Sequence, residues 1–316
     1  MNLPVEFTRI AKYFAPLAAS GGLGLADDAA VITPPPNRDL VITADAMVAG
    51  VHFLPSEAPE NIARKLLRVN LSDIAAMGAA PLYYLLTISV PRDVSELWFE
   101  GFARGLAADQ ARYGVSLLGG DSTSTPGPVT ASVTMFGHVA PGAALRRGGA
   151  KAGDDLWVTG VIGDGVLGLW ALRGERNDPT GSLARRYRFP EPRLGLNLSG
   201  VAHAAMDISD GLVQDSSHMA RASGVGLELE LAKVPLSPAG HEEGLAFVAS
   251  GVAGGDDYEL LLAVPPARAQ ALQATAHKAG LAVTRIGKFN TARGEVRGVN
   301  AAGQTIELGN GGWSHF

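Results

Sequence analysis

The chain has 316 residues, 47% of them hydrophobic and 18% charged, and a formal net charge of −5. These values exclude a disordered chain and argue against a nucleic-acid-binding protein, which needs a basic patch or stripe. Cysteine is absent, which removes disulfides, thiolate metal sites and cysteine nucleophiles and agrees with a reducing cytosol. The N-terminus shows no signal-peptide pattern, and no apolar run approaches the ~20 residues that cross a bilayer, so we expect a cytoplasmic protein with no membrane partner.

The first half of the chain alternates helical and strand patterns. Apolar residues at helical spacing predict helices over 7–17, 60–77 and 94–113. Apolar or alternating runs predict strands over 40–42, 83–90, 115–118 and 129–139. Asp73 continues the apolar stripe of the second helix, where a carboxylate is unfavourable unless it is paired or metal-bound. Asp73 is therefore more informative than a surface aspartate.

The second half begins after a basic, glycine-bearing stretch at 146–151, which predicts a linker. We place the boundary near residue 140, which gives an N-terminal domain over 1–140 and a C-terminal domain over 141–316. Predicted strands and helices alternate beyond it: strands 156–159, 204–208, 225–231 and 258–264, and helices from 166, over 211–222 and over 268–279. Strands followed by helices in both halves predict a mixed α/β protein.

Aspartates recur in small loops just after apolar runs, at 27–28, 45, 73, 121, 207, 210 and 256–257. Two carboxylates 4 Å apart repel by about 4 kcal/mol near a protein surface, so a fold that gathers several needs cations. Hard divalent ions take oxygen ligands, and Mg²⁺ held by carboxylates usually also holds substrate phosphates. The set therefore predicts nucleotide-dependent phosphoryl transfer.

Each motif also has a structural interpretation. A single aspartate is more typical of a turn or helix cap than of a metal ligand, and only the set, several of whose members follow strand ends, favours a ligand site. His52 either binds a phosphate or simply packs, and Arg146 and Arg147 either clamp a phosphate or belong to a solvated linker. No Walker A pattern or kinase signature occurs. Ser209, crowded between two aspartates, favours direct transfer over a covalent intermediate.

Eight motifs together resemble the thiamine-monophosphate kinases, a family of the aminoimidazole ribonucleotide synthetase superfamily. In chain order they span residues 26–30, 43–45, 49–53, 69–79, 119–123, 207–212, 254–260 and 315–316. The resemblance covers essentially the whole chain. It implies ATP-dependent phosphorylation of thiamine monophosphate to thiamine diphosphate with several Mg²⁺ ions. It also implies a homodimer whose N-terminal domains form a shared β-barrel, flanked by α/β C-terminal domains.

The resemblance further implies roles for individual residues. The implied metal ligands are Asp28, Thr43, Asp45, Asp73, Asp121, Asp207 and Asp210, of which Asp45, Asp73 and Asp210 are the implied catalytic residues. The implied ATP contacts are Tyr113, Gly120, Asp121, Arg147 and Ser209. The implied contacts to the thiamine phosphate are His52, Asp256 and Trp313.

Three positions depart from the family pattern, which usually has Gly at Ala26, a hydroxyl residue at Ala44 and Glu at Asp256. Ala44 has no side-chain oxygen for a metal, and Asp256 has a shorter reach toward the substrate. Two alternatives stay open: a non-catalytic relative that binds Mg²⁺ and nucleotide, and a sister purine-pathway synthetase. The 254–260 motif argues against the second.

Overall fold

The protein is described here by a computed structural model covering residues 4–244, 247, 251, 253–306, 308 and 312. The chain divides into two compact units. The first comprises Met1–Ile74 and Ala79–Gly142, and the second comprises Ala75–Gly78 and Ala143–Phe316. Among the described residues, no helix is both long enough and apolar enough to cross a membrane.

The first unit contains a four-stranded sheet and two helices of 18 residues each, besides a short helix. Its elements are α1 (Val5–Arg9), β1 (Asp39–Val48), α2 (Pro59–Ala76), β2 (Ala80–Val90), α3 (Glu96–Tyr113), β3 (Ser116–Ser124) and β4 (Thr130–Val139). The strand order is β1-β4-β2-β3, with only the β2–β3 pair parallel. Within the described residues this sheet does not close into a barrel, so the mixed α/β class is confirmed and the barrel is not.

Alternating burial places the core of the first unit on one face of this sheet. Every second residue of β4 is buried, as expected for a strand with one covered face. A Cβ atom on Gly137 would lie 3.1 Å from the side chain of Ile74 in α2, so the helix packs closely on β4 there. The other face leaves Leu40 and Ile42 exposed.

Two strands extend further than predicted, and each of them contains an aspartate that was expected in a loop. β1 pairs with β4 along its whole length, so Asp45 lies inside a strand and not in a loop. Asp121 likewise lies inside β3. A Cβ atom on Gly120 would lie 1.7 Å from the carbonyl oxygen of Leu86, so glycine is what lets β3 continue beside β2.

The second unit is a seven-stranded sheet with helices. Its elements are β5 (Asp155–Thr159), α4 (Asp164–Arg173), α5 (Ser182–Arg188), β6 (Ala204–Asp207), α6 (Leu212–Ser223), β7 (Gly226–Glu230), α7 (Pro238–Glu242), β8 (Leu260–Val264), α8 (Ala269–Lys278), β9 (Val283–Asn290), β10 (Val296–Val299) and β11 (Thr305–Ile306). The strand order is β11-β10-β7-β9-β5-β8-β6. Strands β5, β6 and β8 are buried along their whole length, and separate apolar clusters form around this sheet.

Most neighbouring strands of this sheet are antiparallel, and only β7 and β10 pair in parallel. The carboxyl ends of neighbouring strands meet at one edge only in a parallel sheet, so that arrangement cannot bring the aspartates of this unit together. Instead, the end of β6 lies beside the beginning of β8, because the two strands run in opposite directions. This pairing brings the chain after Asp207 next to the chain before Leu260.

Candidate functional site

In the first unit, β1 and α2 hold three of the implied metal ligands. The Thr43 hydroxyl donates to Oδ2 of Asp73 at 2.5 Å. The backbone N–H of Asp45 donates to Oδ1 of Asn70 at 3.0 Å, and Asn70 in turn donates to the carbonyl of Leu66 at 2.9 Å. Asn70 and Asp73 are three residues apart on α2 and share a face. The strand and helix thus present hydroxyl and carboxylate oxygens that are fixed by hydrogen bonds.

A cavity of about 630 Å³ opens in the same unit. Asp28, Gly120 and Asp121 line it together with apolar side chains that include Phe14 and Leu117. Its volume lies in the range of small-molecule sites, which are mostly apolar with a few polar groups. The structure therefore brings two implied metal ligands, Asp28 and Asp121, and two implied ATP contacts, Gly120 and Asp121, to one cavity.

His52 is held at both its ring and its backbone. The Val48 N–H donates to Nδ1 of His52 at 3.0 Å, and the buried Lys65 donates from Nζ to the His52 carbonyl at 3.1 Å. An Nδ1 that accepts a backbone hydrogen bond carries no proton, so the ring proton of neutral His52 is on Nε2. Nε2 of His52 is thereby a hydrogen-bond donor.

Tyr113 ends α3 beside a buried ion pair. The Arg68 guanidinium lies 5.3 Å from the centroid of the Tyr113 ring. Arg68 donates to both carboxylate oxygens of Asp109, at 2.6 and 3.0 Å. The ring is thus positioned by a cation–π contact to a cation that is itself fixed between α2 and α3.

In the second unit, the 207–211 loop after β6 interlocks with the 254–259 loop before β8. The N–H of Ile208 donates to the carbonyl of Glu259 at 2.8 Å. Tyr258 N–H donates to the Ile208 carbonyl at 2.7 Å, and Asp256 N–H to the Ser209 carbonyl at 3.0 Å. The antiparallel pairing of β6 with β8 therefore continues into both loops and joins Ser209 to Asp256.

The 254–259 loop has an uncommon backbone. Asp256 and Tyr258 have φ angles of 68° and 50°, which residues other than glycine rarely adopt. A Cβ atom on Gly255 would lie 2.3 Å from the Ser209 carbonyl oxygen. Such conformations persist only where the surroundings impose them, and they cluster at ligand sites. Asp256 is thus held in place by its loop.

Two buried carboxylates serve these loops, and sequence reasoning assigned a role to neither. Burial raises the pKa of Asp215 to about 7, and the charge of Asp210 acts in the same direction. Burial also raises the pKa of Asp257 to about 7. Asp257 accepts hydrogen bonds from the N–H groups of Gly163 and Gly165 at 2.8 to 3.1 Å. The sequence does carry one signal for Asp215: it is an acidic residue in the first turn of α6, where a negative charge is favourable.

Glu259 is the centre of a buried ion cluster and has no exposed surface. It accepts from Arg186 at 3.0 Å, from Nε of Arg193 at 2.7 Å and from the Thr159 hydroxyl at 2.6 Å. Arg186 also donates to the Asp257 carbonyl. Two arginines and a hydroxyl compensate the buried charge, so Glu259 anchors the 254–259 loop.

Arg147 lies on an exposed segment that is anchored to the end of α6. Oγ of Ser223 accepts from the N–H groups of Gly149 and Ala150, each at 3.1 Å. A Cβ atom on Gly148 would lie 2.8 Å from the carbonyl oxygen of Ala222. The helix that begins after the 207–211 loop therefore also fixes the segment carrying Arg147.

Comparison with known proteins identifies the family. Residues 26–139 match AIR synthase related protein, N-terminal domain, and residues 151–300 match its C-terminal domain. A thiamine-monophosphate kinase of Caulobacter vibrioides is 46% identical over 99% of this chain and 91% of its own. The chain belongs to the thiamine-monophosphate kinase family. The resemblance inferred from the motifs is confirmed.

Solved structures of thiamine-monophosphate kinases share the fold. One from Stenotrophomonas maltophilia has a TM-score of 0.79 and 39% identity, and covers 86% of this chain and 89% of its own. Another, described as "AaThiL complexed with AMPPCP and TMP", has a TM-score of 0.79 and 30% identity, and covers 98% of this chain and 94% of its own. The similarity therefore extends through both units.

The described residues of the chain include no three His, Asp or Glu side chains close enough to hold a metal ion by themselves. The implied ligands occur instead in smaller groups: Thr43 with Asp73, and Asp28 with Asp121. Trp313 and the terminal motif at 315–316 lie outside the described residues. The assigned ligand roles therefore stay predictions.

Proposed function

We propose that the protein transfers the γ-phosphoryl group of ATP to thiamine monophosphate, giving thiamine diphosphate and ADP. The observation that carries this proposal is the hydrogen bond between Ser209, an implied ATP contact, and Asp256, an implied contact to the thiamine phosphate. Relatives at up to 46% identity bear this enzyme's name. A structure of similar fold holds AMPPCP and TMP together.

Mg²⁺ fits the oxygen donors that each of the two units presents. Mg²⁺ usually keeps several waters and binds through one or two carboxylates plus substrate phosphates, so pairs of acidic residues are sufficient. In this proposal Asp28 and Asp121, Thr43 with Asp45 and Asp73, and Asp207 with Asp210 would hold the ions. When bound, the metal neutralises phosphate charge and aligns the reacting groups.

The protein's own residues bind and orient the substrates. We assign Tyr113, Gly120, Arg147 and Ser209 to ATP. We assign His52, Asp256 and Trp313 to the thiamine phosphate, with His52 donating from Nε2. The acceptor phosphate oxygen is already anionic at neutral pH, so no general base is needed. Positioning and electrostatic stabilisation then supply the rate.

We further propose a homodimer in which two first units share a β-barrel. β1 is an edge strand of ten residues, and its outward side chain Ile42 is 58% exposed. A long, apolar edge strand invites pairing with another chain, and native proteins cover such edges. We place the enzyme in the cytoplasm, where a chain without cysteine loses no disulfide.

The deciding experiment is ADP release from purified protein with ATP and Mg²⁺, with and without thiamine monophosphate, followed by mass analysis of the product. Thiamine diphosphate formed only when both substrates are present is the expected result. Asp210→Asn should abolish turnover and leave the fold intact, and near-native turnover would remove Asp210 from the site. Thermal stabilisation by AMPPCP and Mg²⁺ without ADP release would favour the binding-only alternative.

A further inference from the structure

Asp215 is a buried residue that accepts hydrogen bonds from the backbone of the 207–211 loop. Its oxygen Oδ2 accepts hydrogen bonds from the N–H groups of Ser209 at 3.1 Å, Asp210 at 3.0 Å and Gly211 at 3.2 Å. Asp215 is only 2% exposed. It therefore contacts no substrate directly, and any effect on the reaction passes through the loop.

The backbone groups of this loop are nearly all used internally. Ile208 bonds to the 254–259 loop through both its N–H and its carbonyl, and the Ser209 carbonyl accepts from Asp256. Asp215 takes the next three N–H groups. Glycine-rich phosphate loops use such N–H groups to cradle the ligand. Here those groups point at Asp215, so the loop meets ligands with its side chains.

We propose that Asp215 is a positioning residue that sets the direction of the Ser209 and Asp210 side chains. One oxygen of Asp215 accepts from all three N–H groups, and an acidic side chain is favourable at the N-terminus of a helix such as α6. Gln214 also donates to Oδ2 of Asp210 at 3.1 Å, which holds that side chain on the same helix. The inference rests on the proposed function for the roles of Ser209 and Asp210.

The test compares Asp215→Ala and Asp215→Asn with the wild type. Amide hydrogen exchange of residues 209–211 in the ligand-free protein should accelerate at least about tenfold in Asp215→Ala. The affinity for AMPPCP with Mg²⁺ should fall about tenfold and kcat about a hundredfold, because a 1 Å misplacement has effects of this size. The KM for thiamine monophosphate should stay within about threefold, because the 254–259 loop keeps its own anchors.

Asp215→Asn keeps an acceptor oxygen and should recover a large part of each loss. Asp154→Asn is the matched control, because Asp154 is also buried and also accepts a backbone hydrogen bond, from Lys151 at 2.8 Å, but does not touch the loop. We expect it to lower the melting temperature without changing kcat or exchange at 209–211.

Unchanged exchange at 209–211 in Asp215→Ala would overturn the proposal, and so would faster exchange with native kcat and native AMPPCP affinity. If Asp215→Ala does not fold, Asp215→Asn decides by the same readouts. A wild-type protein that binds AMPPCP but forms no thiamine diphosphate would overturn the proposed function instead. Amide hydrogen exchange and AMPPCP affinity would then still test the positioning role of Asp215, because neither measurement depends on the phosphate acceptor.

Discussion

The backbone N–H of Asp256 donates to the carbonyl oxygen of Ser209 at 3.0 Å. Two further backbone hydrogen bonds join the same loops, through Ile208 to Tyr258 and Glu259. Three backbone hydrogen bonds thus tie the loop of Ser209 to the loop of Asp256. Backbone hydrogen bonds of this kind fix the distance between two bound groups more firmly than contacts between long side chains do, because long side chains lose more conformational entropy on ordering.

Gly255→Ala should separate the two loops. The new Cβ atom would lie 2.3 Å from the Ser209 carbonyl oxygen, so the backbone has to move. We expect a loss of stability of about 1–3 kcal/mol and a fall in kcat of at least about tenfold. Unfolding curves and steady-state kinetics measure both effects. Gly127→Ala, whose Cβ atom meets only Thr125 at 3.4 Å, is the control, and equal effects of the two variants would contradict the prediction.

His52 offers a test of which ring nitrogen meets the phosphate. Because Nδ1 accepts from Val48, only Nε2 is placed to donate. His52→Gln puts an amide N–H near the position of Nε2, whereas His52→Asn keeps only a group near Nδ1. Loss of a hydrogen bond to a charged group is worth about 1.5–3 kcal/mol, so His52→Asn should raise the KM for thiamine monophosphate about tenfold to a hundredfold.

Because His52→Gln keeps a donor near Nε2, its KM should stay within about threefold of the wild-type value. Steady-state kinetics with varied thiamine monophosphate gives both values. A larger loss in His52→Gln than in His52→Asn would mean that the Nδ1 contact to Val48 is what matters, and that His52 acts by holding its own turn.

Thr43 tests the oxygen donors of the first unit. Its hydroxyl donates to Asp73 at 2.5 Å, so Thr43→Val leaves Asp73 without this partner and removes one oxygen. Thr43→Ser restores both. We expect the Mg²⁺ concentration for half-maximal activity to rise about tenfold in Thr43→Val and to return near the wild-type value in Thr43→Ser. Equal Mg²⁺ dependence in all three proteins would remove Thr43 from the metal site.

Much of the architecture was readable from periodicity. The helix over 60–77 was predicted from its apolar stripe and its flanking Pro59 and Gly78, and the structure has Pro59–Ala76. The strand over 40–42 was predicted too short because the residues that continue it include Asp45 and the small residues Ala44 and Ala46. Pairing with β4 along the whole of β1 extends it to Val48, and such pairing partners are not visible in one sequence.

The interlocked loops could not be predicted in the same way. The motifs with Ser209 and Asp256 were recognised as a set, yet nothing in the spacing says that β6 and β8 are antiparallel neighbours. The role of Asp215 depends on three backbone N–H groups converging on one oxygen, which only the folded loop produces. Sequence patterns locate chemical groups, whereas their hydrogen-bond partners depend on tertiary structure.

Asp257 should make stability depend on pH. Burial raises its pKa from 3.8 to about 7. Between these values the native state binds a proton that the unfolded state has lost, so the free energy of unfolding falls as pH rises, by up to about 1.4 kcal/mol per pH unit. Asp257→Asn removes this titration and keeps an oxygen that can accept from Gly163 and Gly165.

Urea unfolding from pH 5 to 8 measures this dependence, and the curve of Asp257→Asn should be flatter than that of the wild type. Asp215 titrates in the same range, so part of the slope should remain. The exposed Asp93 supplies the control Asp93→Asn, which should run parallel to the wild type. Parallel curves for Asp257→Asn as well would mean that Asp257 is already ionised throughout this range.

Ile42→Glu tests the proposed dimer. Ile42 is 58% exposed on the open face of the four-stranded sheet, so a charge there should be tolerated by the isolated unit. In a shared barrel the same charge would be buried without a partner and would oppose association. We therefore expect light scattering to give a dimer mass for the wild type and a monomer mass for Ile42→Glu. Leu97→Glu, at a residue of α3 that is 76% exposed, should remain dimeric, and a dimeric Ile42→Glu would mean that association uses another surface.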